Sequence, residues 1–232
     1  MNPLKFRECK AILFDFGGTL DSDGEHWLDR FYALYNQAKL QVSLPKIKRA
    51  FYYADSLCSL DSQVVSLGLR PLMKHHIHLQ FAALNLSDEK REKELVEAFC
   101  SRSEQFLRRN ALLLRRMSHH YRLGLVSNFY GNVATLCAEA GFGEVFDVIL
   151  DSALVGMSKP DPEIFRTALE RFQLPPKEVV SVGDSFERDM IPTRELGMKT
   201  IWLKGPHPRV PENAGSVDAS ISSLPELQVL IS

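Results

Sequence analysis

Polar side chains of several kinds follow short apolar runs in this sequence, as they do in a site built at the ends of buried strands. Asp15 follows the apolar run 11–14, and Asp184 closes the run 179–183. Because facing carboxylates repel each other unless a cation lies between them, Asp15 and Asp184 predict a hard divalent ion held by oxygen, with Mg²⁺ as the best candidate. The full polar set is Asp15, Ser127 with Asn128, Lys159, and Asp184 with Asp189.

The remaining members of this set supply groups that hold a small tetrahedral anion. Around the predicted ion they place the hydroxyl of Ser127, the amide of Asn128 and the ammonium group of Lys159, together with loop N–H groups. A phosphoryl group requires such a pocket. The carboxylate of Asp15 could then attack phosphorus as a nucleophile.

The elements that position this set alternate along the second half of the chain. Apolar strands and amphipathic helices in turn indicate an α/β fold with a Rossmann-like parallel sheet covered on both faces. Such sheets bind ligands at the carboxyl ends of their strands, where the polar set lies. Predicted strands lie at 11–14, 123–126, 145–150, 179–182 and 200–203, and predicted helices lie at 133–140, 162–172 and 190–196.

The segment from 25 to 110 has a different pattern. Apolar residues recur there at spacings of three and four, which predicts helices at 27–39, 44–57, 64–84 with a break near 68–71, and 87–107. The segment interrupts the sheet after its first strand and returns the chain to it. We therefore predict an α/β core domain at 1–22 and 111–232 and an inserted all-helical cap domain at 23–110, called the cap segment below.

Composition excludes several classes of function. The 232 residues include 28 basic and 29 acidic side chains, so the formal net charge of -1 provides no overall field for nucleic acid. No apolar run approaches the roughly 18 to 20 residues of a membrane span, and the N-terminus lacks a signal-peptide pattern. Four scattered cysteines indicate buried thiols in a reducing compartment. We expect a cytoplasmic protein, monomeric or homodimeric, that binds neither nucleic acid nor a membrane.

Four motifs in this order resemble those of the haloacid dehalogenase (HAD)-like hydrolase superfamily, in its phosphatase-type form with a C1 helical cap. The resemblance covers essentially the whole chain, and the cap segment lies where the family's C1 cap is inserted. Each motif follows a predicted strand, which makes the combination more specific than any one motif. The motifs are Asp15-Phe16-Gly17-Gly18-Thr19, Leu125-Val126-Ser127-Asn128, Ser158-Lys159-Pro160 and Gly183-Asp184-Ser185-Phe186-Glu187-Arg188-Asp189.

The resemblance implies a role for each matched residue. Asp15 would form an aspartyl-phosphate, and Lys159 would neutralise charge on Asp15 and on the phosphoryl oxygens. The transferring group would be bound by Gly18, Thr19, Ser127, Asn128 and Lys159. Magnesium would be bound by Asp15, the backbone carbonyl of Gly17 and Asp184, and Asp189 would complete the metal site from behind these ligands or through water. The expected activity is Mg²⁺-dependent hydrolysis of a small phosphorylated metabolite.

Gly17 is where the sequence departs from the family pattern. Family phosphatases have a second aspartate there, which protonates the leaving group and activates water. Its absence is expected to slow hydrolysis of alkyl phosphates by roughly 10² to 10⁴. Asp21 or Asp23 could replace it, although capping of the loop and first helix is the interpretation we favour.

Other chemistries stay open at this point. Family dehalogenases carry an aromatic residue at this position and lack the fourth-motif Gly-Asp, so Asp184 argues against dehalogenation. Enzymes that resemble phosphonoacetaldehyde hydrolase carry a small residue there and use a cap lysine as a Schiff base. The available lysines are Lys39, Lys46, Lys48 and Lys74. A catalytically weak protein that binds a phosphorylated ligand or a protein partner is the third alternative.

Two features bear on substrate selection. The aromatic stripe on the first cap helix should be mostly core, but Trp27 or Tyr32 could face the cleft. A group of arginines where the cap segment returns to the core could bind a second anionic group of the substrate, although solvated charge is its usual meaning. This group is Arg108, Arg109, Arg115 and Arg116.

Overall fold

Six parallel strands form the sheet of the computed structural model, which describes residues 6–206, 208–212 and 215–231. The strands lie in the order β3-β2-β1-β4-β5-β6. The α/β class and the parallel sheet predicted from the sequence are therefore confirmed. The strands are β1 Ala11–Phe14, β2 Arg122–Ser127, β3 Val148–Asp151, β4 Val179–Gly183, β5 Lys199–Leu203 and β6 Ala219–Ile221.

The register at the centre of the sheet brings three strand ends to one edge. Phe14 in β1 pairs with Leu125 in β2 and with Val182 in β4. The N–H of Asp15 donates to the carbonyl of Val182 at 3.0 Å, which continues the ladder by one residue. Because all three strands run in the same direction, the residues that follow Phe14, Val126 and Val182 emerge side by side.

Helices cover both faces of the sheet and form the cap segment. Most lie within a few residues of their predicted bounds, and the predicted break in the third cap helix is present as a 3-10 turn, Val64–Ser66, before α3. The helices are α1 Trp27–Gln37, α2 Leu44–Leu60, α3 Leu69–Ala83, α4 Glu89–Met117, α5 Val133–Glu139, α6 Ser152–Val155, α7 Glu163–Phe172, α8 Ile191–Glu195 and α9 Leu227–Leu230.

Helix α4 is longer than the sequence predicted and passes through the predicted domain boundary. It continues to Met117 because Leu107, Ala111 and Leu114 extend its buried apolar stripe. The side chain of Asn110, fully buried within the helix, donates to the carbonyl of Leu20 at 2.8 Å. The return from the cap segment is therefore a rigid helix, and the division into two domains stays a prediction.

One apolar cluster joins the cap segment to the sheet. It contains Ile12 and Phe14 from β1 together with Phe31, Phe51 and Phe99 from cap helices. A separate cluster fills the space between the opposite face of the sheet and α7. Because the cap helices share a core with β1, packing fixes their side chains relative to the sheet edge where the polar set lies.

Two local differences from the predicted elements affect the loops at this edge. The strand predicted at 145–150 begins at Val148, because Gly143–Val145 forms a 3-10 turn. The helix predicted at 190–196 is preceded by a π-helical turn, Phe186–Met190, which carries Asp189. No helix in the described part of the chain is long and apolar enough to cross a membrane. The four cysteines are buried free thiols, and the cytoplasmic location inferred from them stays a prediction.

Candidate active site

Three carboxylates meet where β1 and β4 end. One oxygen from each of Asp15, Asp184 and Asp189 can be chosen so that all three lie within 4.8 Å of one another. Asp15 and Asp184 are placed by the strand ends, and the π-helical turn after β4 brings Asp189 back beside them. Asp15 and Asp189 are buried, and Asp184 is partly exposed. We call these three residues the carboxylate cluster.

Lys159 is the cation that the structure pairs with this cluster. Its Nζ lies 2.6 Å from Asp15 Oδ1 and 2.6 Å from Asp189 Oδ1, and the residue is only 5% exposed. Burial alone would lower the pKa of Lys159, but the charges of Asp15 and Asp189 raise it above its usual value. The ammonium group therefore stays charged at any physiological pH.

One lysine does not balance three carboxylates. Burial raises the pKa of Asp184 well above its usual value of 3.8, and the charges of Asp15 and Asp189 raise it further. Burial likewise raises the pKa of Asp189 to about 6, against the lowering effect of Lys159. The excess of negative charge and the all-oxygen donor set fit a divalent cation such as Mg²⁺. Asp15, Asp184 and Asp189 would hold it.

Gly17 lies at the same cavity and fits the carbonyl ligand that the sequence predicted. No residue in the described ranges donates a hydrogen bond to its carbonyl oxygen, so this atom is available to a cation. Its backbone is outside the left-handed region, and an added Cβ would lie 3.5 Å from Nε1 of Trp27, in ordinary contact. A Cβ atom would therefore be accommodated at position 17.

Thr19 forms hydrogen bonds with two residues of the carboxylate cluster and does not face the cavity. Its hydroxyl donates to Asp15 Oδ2 at 3.1 Å and accepts the N–H of Asp184 at 3.1 Å. The residue is fully buried and does not line the cavity. In the structure Thr19 therefore orients the nucleophile, and its hydrogen bond to the transferring group stays a prediction.

Gly18 is hydrogen-bonded within its own loop. Its N–H donates to Asp21 Oδ1 at 2.7 Å, and its contact with the transferring group stays a prediction. The residue has φ of +91°, and a Cβ there would lie 2.5 Å from Asp184 Oδ2. Glycine is needed at this position because Asp184 approaches the backbone closely.

Ser127 and Asn128 both line the cavity, and they do so in different ways. The hydroxyl of Ser127 lies 3.5 Å from Asp15 Oδ1, leaving it available to a ligand. The amide of Asn128 donates to the carbonyl of Lys159 and accepts its N–H, both at 2.8 Å. Asn128 therefore fixes the backbone from which the lysine reaches the cluster.

Comparison with known proteins agrees with these motifs. A family model described as haloacid dehalogenase-like hydrolase matches residues 9–197. The chain belongs to this family. It is 38% identical over 96 residues to the bovine (Bos taurus) haloacid dehalogenase-like hydrolase domain-containing protein 3, covering 41% of this chain and 38% of that protein. It is 32% identical over 145 residues to a phosphoserine phosphatase of Thermus thermophilus, covering 59% of this chain and 56% of that one.

The solved structures agree on the fold. A crystal structure of a dehalogenase with an intermediate complex has a TM-score of 0.65 and 18% identity, and the match covers 97% of both chains. At this identity the likeness shows the fold alone. The chain spans less than two thirds of the length of the bovine and Thermus relatives just described.

In this HAD-like hydrolase, neither aspartate near Gly17 is free to replace the missing acid. Asp21 is fully buried, and its Oδ2 accepts the indole N–H of Trp27 and Nη1 of Arg30, each at 2.7 Å. Asp23 forms a two-pronged ion pair with Arg109, at 2.6 and 2.8 Å. Neither lines the cavity. The contacts of both aspartates agree with the interpretation favoured from the sequence, in which they order the loop.

The cavity above the cluster has a volume of about 80 Å³, enough for a phosphoryl group and a few atoms beyond it. Trp27 lines it, whereas Tyr32 does not. The aromatic stripe on α1 therefore contributes one side chain to the site. The rest of the wall comes from the cap residues His26, Phe51, Tyr52 and Asp55 and from the core residues Phe129, Tyr130, Ser185 and Arg188.

Sequence reasoning missed most of this wall. Tyr130 follows the second motif by two residues, and its hydroxyl hydrogen-bonds to Asp55 on α2, which ties the cap segment to the core. Arg188 lies inside the fourth motif itself. The proximity of Tyr130 and Arg188 to known motifs was a usable signal. Asp55 had none, because nothing in the spacing of α2 marks which turn faces the sheet edge.

The lysines and arginines singled out in the sequence lie elsewhere in this HAD-like hydrolase. All six lysines of the cap segment, including the four named above, are exposed, and none lines the cavity. Arg108 pairs with Glu104 at 3.8 Å, and Arg109 pairs with Asp23. Arg115 donates to the carbonyl of Gly141. The lysine that does reach the cavity is Lys159.

Proposed function

We propose that this protein is a Mg²⁺-dependent phosphatase that hydrolyses a small phosphorylated compound through an aspartyl-phosphate on Asp15. The observation that carries the proposal is the buried carboxylate cluster, whose three charges are only partly balanced by Lys159. A phosphatase named in the comparisons, the phosphoserine phosphatase of Thermus thermophilus, supports the reaction class.

The proposed reaction follows from the orientation of Asp15. Lys159 holds Oδ1 and Thr19 holds Oδ2, so the carboxylate is fixed before substrate arrives. It attacks phosphorus in line, the bond from phosphorus to the ester oxygen breaks, and the leaving group departs with that electron pair, while Lys159 neutralises charge on the phosphoryl oxygens. Bound Mg²⁺ would supply further stabilisation of that charge. Water then hydrolyses the aspartyl-phosphate and regenerates Asp15.

The leaving group is proposed to need little protonation. Gly17 offers no acid, and Asp21 and Asp23 are engaged elsewhere. Asp55 is the carboxylate that the cap segment contributes to the cavity, but it accepts a hydrogen bond from Tyr130. Aryl or acyl phosphates, whose leaving groups are stable as anions, should therefore react faster than alkyl phosphates.

The rival chemistries have less support. A departing halide carries its own charge away and requires no cation beside the nucleophile, so dehalogenation leaves three clustered carboxylates unexplained. Cleavage of a phosphorus–carbon bond through a Schiff base would use a lysine of the cap segment at the cavity. The six lysines of that segment are exposed and none lines the cavity, whereas Lys159, which does, is an ammonium group paired with Asp15 and Asp189.

The test compares 4-nitrophenyl phosphate with an alkyl phosphate, with Mg²⁺ and with EDTA. The proposal expects Mg²⁺-dependent release of phosphate, faster from the aryl ester, and a loss of at least about 10³-fold in Asp15→Asn. Glu170→Gln, which changes an exposed side chain on α7, is the matched control and should retain full activity. Equal rates on both esters would remove the leaving-group argument. Activity that survives in Asp15→Asn would contradict the assignment of Asp15 as the nucleophile.

A further inference from the structure

A second, larger cavity adjoins the one above the carboxylate cluster. Its volume is about 490 Å³, against about 80 Å³ for the inner one. The two share lining residues and therefore meet. The inner cavity has room for a phosphoryl group and only a few further atoms, so a larger substrate with its phosphoryl group at the carboxylate cluster would extend into the outer cavity. The shared residues are His26, Tyr52, Asp184, Ser185 and Arg188.

Arg188 stands at this junction with its charge uncompensated by the protein. Its backbone N–H donates to Ser185 Oγ at 3.2 Å, which orders the turn that carries it. Its guanidinium group forms no ion pair with any residue in the described ranges, and the side chain is exposed. Arg209, which lines the outer cavity, is instead paired with Asp29. Arg188 thus keeps its five donors available for a ligand.

His26 adds a neutral donor beside Arg188. Its Nδ1 accepts the N–H of Leu28 at 3.2 Å, at the start of α1, so the neutral ring carries its proton on Nε2. Burial lowers the pKa of His26, and the charges of Arg188 and Arg209 lower it further, which shows that both guanidinium groups lie near the ring. Two acidic side chains that form no ion pair with any described residue, Asp184 and Glu187, also line the outer cavity.

We propose that Arg188 and His26 form a subsite for a second anionic group on the substrate, on the leaving-group side of the transferring phosphoryl. The group is an oxyanion, a carboxylate or a second phosphate, which a guanidinium fork binds with two parallel hydrogen bonds. This inference rests on the proposed function, because it assumes that the phosphoryl group occupies the inner cavity. It restricts the substrate to phosphorylated compounds that carry another negative charge.

The anionic group is proposed to act on specificity as well as affinity. A neutral substrate leaves Arg188 hydrated at the junction and gains nothing from it. An exposed charge-assisted pair contributes on the order of tenfold in affinity, since hydrogen bonds to charged groups are stronger than neutral ones. Discrimination between charged and neutral compounds of the same shape is therefore the property to measure.

The test uses non-hydrolysable phosphonates. A series of ω-phosphonocarboxylates with chains of increasing length is compared with the matching carboxamides and with α,ω-bisphosphonates, by calorimetry with Mg²⁺ present. A length series is needed because the arginine side chain is long. For at least one length, we expect the wild-type protein to bind an anionic member about tenfold more tightly than its carboxamide. The carboxylate and bisphosphonate arms identify which oxyanion is preferred.

Variants assign this preference to residues. In Arg188→Gln the ratio of anionic to carboxamide affinity should fall to about one. In His26→Asn, which keeps a side-chain acceptor for the N–H of Leu28, it should fall about threefold. Arg171→Gln removes an exposed arginine on α7 and should leave the ratio unchanged. Thermal midpoints of all variants show whether each protein is folded.

The outcomes separate this inference from the proposed function. A wild-type protein with no preference at any length, or a preference that survives in Arg188→Gln, overturns the subsite. Equal losses for the anionic and neutral series in Arg188→Gln also overturn it, because Arg188 would then contact the phosphoryl group. Turnover of 4-nitrophenyl phosphate reports on the proposed function alone. If the anion preference depends on Arg188 but 4-nitrophenyl phosphate is not hydrolysed, the subsite is supported and the proposed phosphatase activity is wrong.

Discussion

Two buried ionic clusters begin within six residues of each other, and they are built on opposite principles. The carboxylate cluster sets Asp15, Asp184 and Asp189 against one lysine beside an open cavity. The second cluster pairs Asp21 with Arg30 one to one, away from the cavity. Burial is therefore common to both, and the balance of charge distinguishes them.

The balanced cluster is fully satisfied by protein groups. Arg30 donates to Asp21 at 2.7 Å and to Ser103 Oγ at 2.5 Å, and its guanidinium carbon lies 3.9 Å from the centre of the Phe99 ring. These contacts join the loop after β1 to α1 and α4. Both Nη groups of Arg30 and both carboxylate oxygens of Asp21 have protein partners, and neither residue lines the cavity, so this pair is not placed to bind a ligand. Its role is to hold the cap segment on the core.

The unbalanced cluster has the reverse property. Its excess negative charge destabilises the fold unless a proton or a cation neutralises it, and the raised pKa values of Asp184 and Asp189 express that cost. An arrangement that costs stability and opens to a cavity is typical of a functional site. The excess of negative charge therefore distinguishes the carboxylate cluster, as the candidate active site, from the structural pair.

The largest effect on stability is expected from breaking the balanced cluster. Asp21→Asn leaves the Arg30 charge buried without a partner, which should cost about 3–5 kcal/mol of unfolding free energy. Thermal or urea denaturation measures it. Asp147→Asn, which breaks the exposed pair with Arg122, is the matched control and should cost no more than about 1 kcal/mol. Equal losses in the two variants would show that the buried pair has no special weight.

The second prediction concerns cation and pH. The pKa of Asp184 and of Asp189 is raised in the folded protein, so the native state binds more protons than the unfolded chain from about pH 4 to beyond pH 6. Stability without metal should therefore fall as pH rises through that window. Mg²⁺ at 100 times its dissociation constant adds about 2.7 kcal/mol, or roughly 5–10 °C in midpoint.

The control for this prediction is Asp184→Asn. Removing one carboxylate should flatten the fall in stability and abolish most of the stabilisation by Mg²⁺. Thermal midpoints recorded at pH 4.5 and pH 7.5, with Mg²⁺ and with EDTA, provide the four values needed for each protein. A Mg²⁺ effect of the same size at both pH values would contradict the assignment of these carboxylates as the binding groups.

Sequence reasoning succeeded where position along a strand decides the outcome. Asp15, Ser127 and Asp184 follow strands whose apolar composition requires them to be buried, and parallel strands end at one edge. The sheet and this half of the site could be predicted for that reason. The hydrogen bond that the N–H of Asp184 donates to Thr19 could not be predicted, because it depends on a turn tight enough for a residue 165 positions away to approach.

The cap side of the cavity was not predictable by the same reasoning. The helical spacing of α1 indicates which residues are buried but assigns charged residues such as Arg30 to the surface. Arg30 is buried because Asp21 and Ser103 satisfy it, and both lie on other segments. Asp55 and His26 reach the cavity through the packing of helices against the sheet, which periodicity does not encode.

The third prediction concerns an acidic side chain introduced at position 17, beside the carboxylate cluster. Gly17→Asp should raise kcat/KM for alkyl phosphates by about tenfold to a hundredfold, because a carboxyl group at the cavity can protonate the leaving oxygen. The ordinary backbone at position 17 and the 3.5 Å from an added Cβ to Nε1 of Trp27 allow the first carbon of that side chain without strain. Gly17→Asn, of similar size and without an acid, is the control. If both variants raised turnover equally, protonation would not be the limiting step.

The last prediction, with the smallest expected effect, is that Asp15 matters for phosphate release but not for the free energy of unfolding. Asp15→Asn removes a like charge from the unbalanced cluster while keeping an oxygen that can accept from Lys159, as Asp15 Oδ1 does at 2.6 Å. Without Mg²⁺ at pH 7.5 it should therefore leave the unfolding free energy unchanged or raise it by about 1 kcal/mol, although phosphate release is lost. Denaturation in EDTA measures this change. A loss as large as that of Asp21→Asn would mean that Asp15 is a structural partner of Lys159, and the distinction between the two clusters would fail.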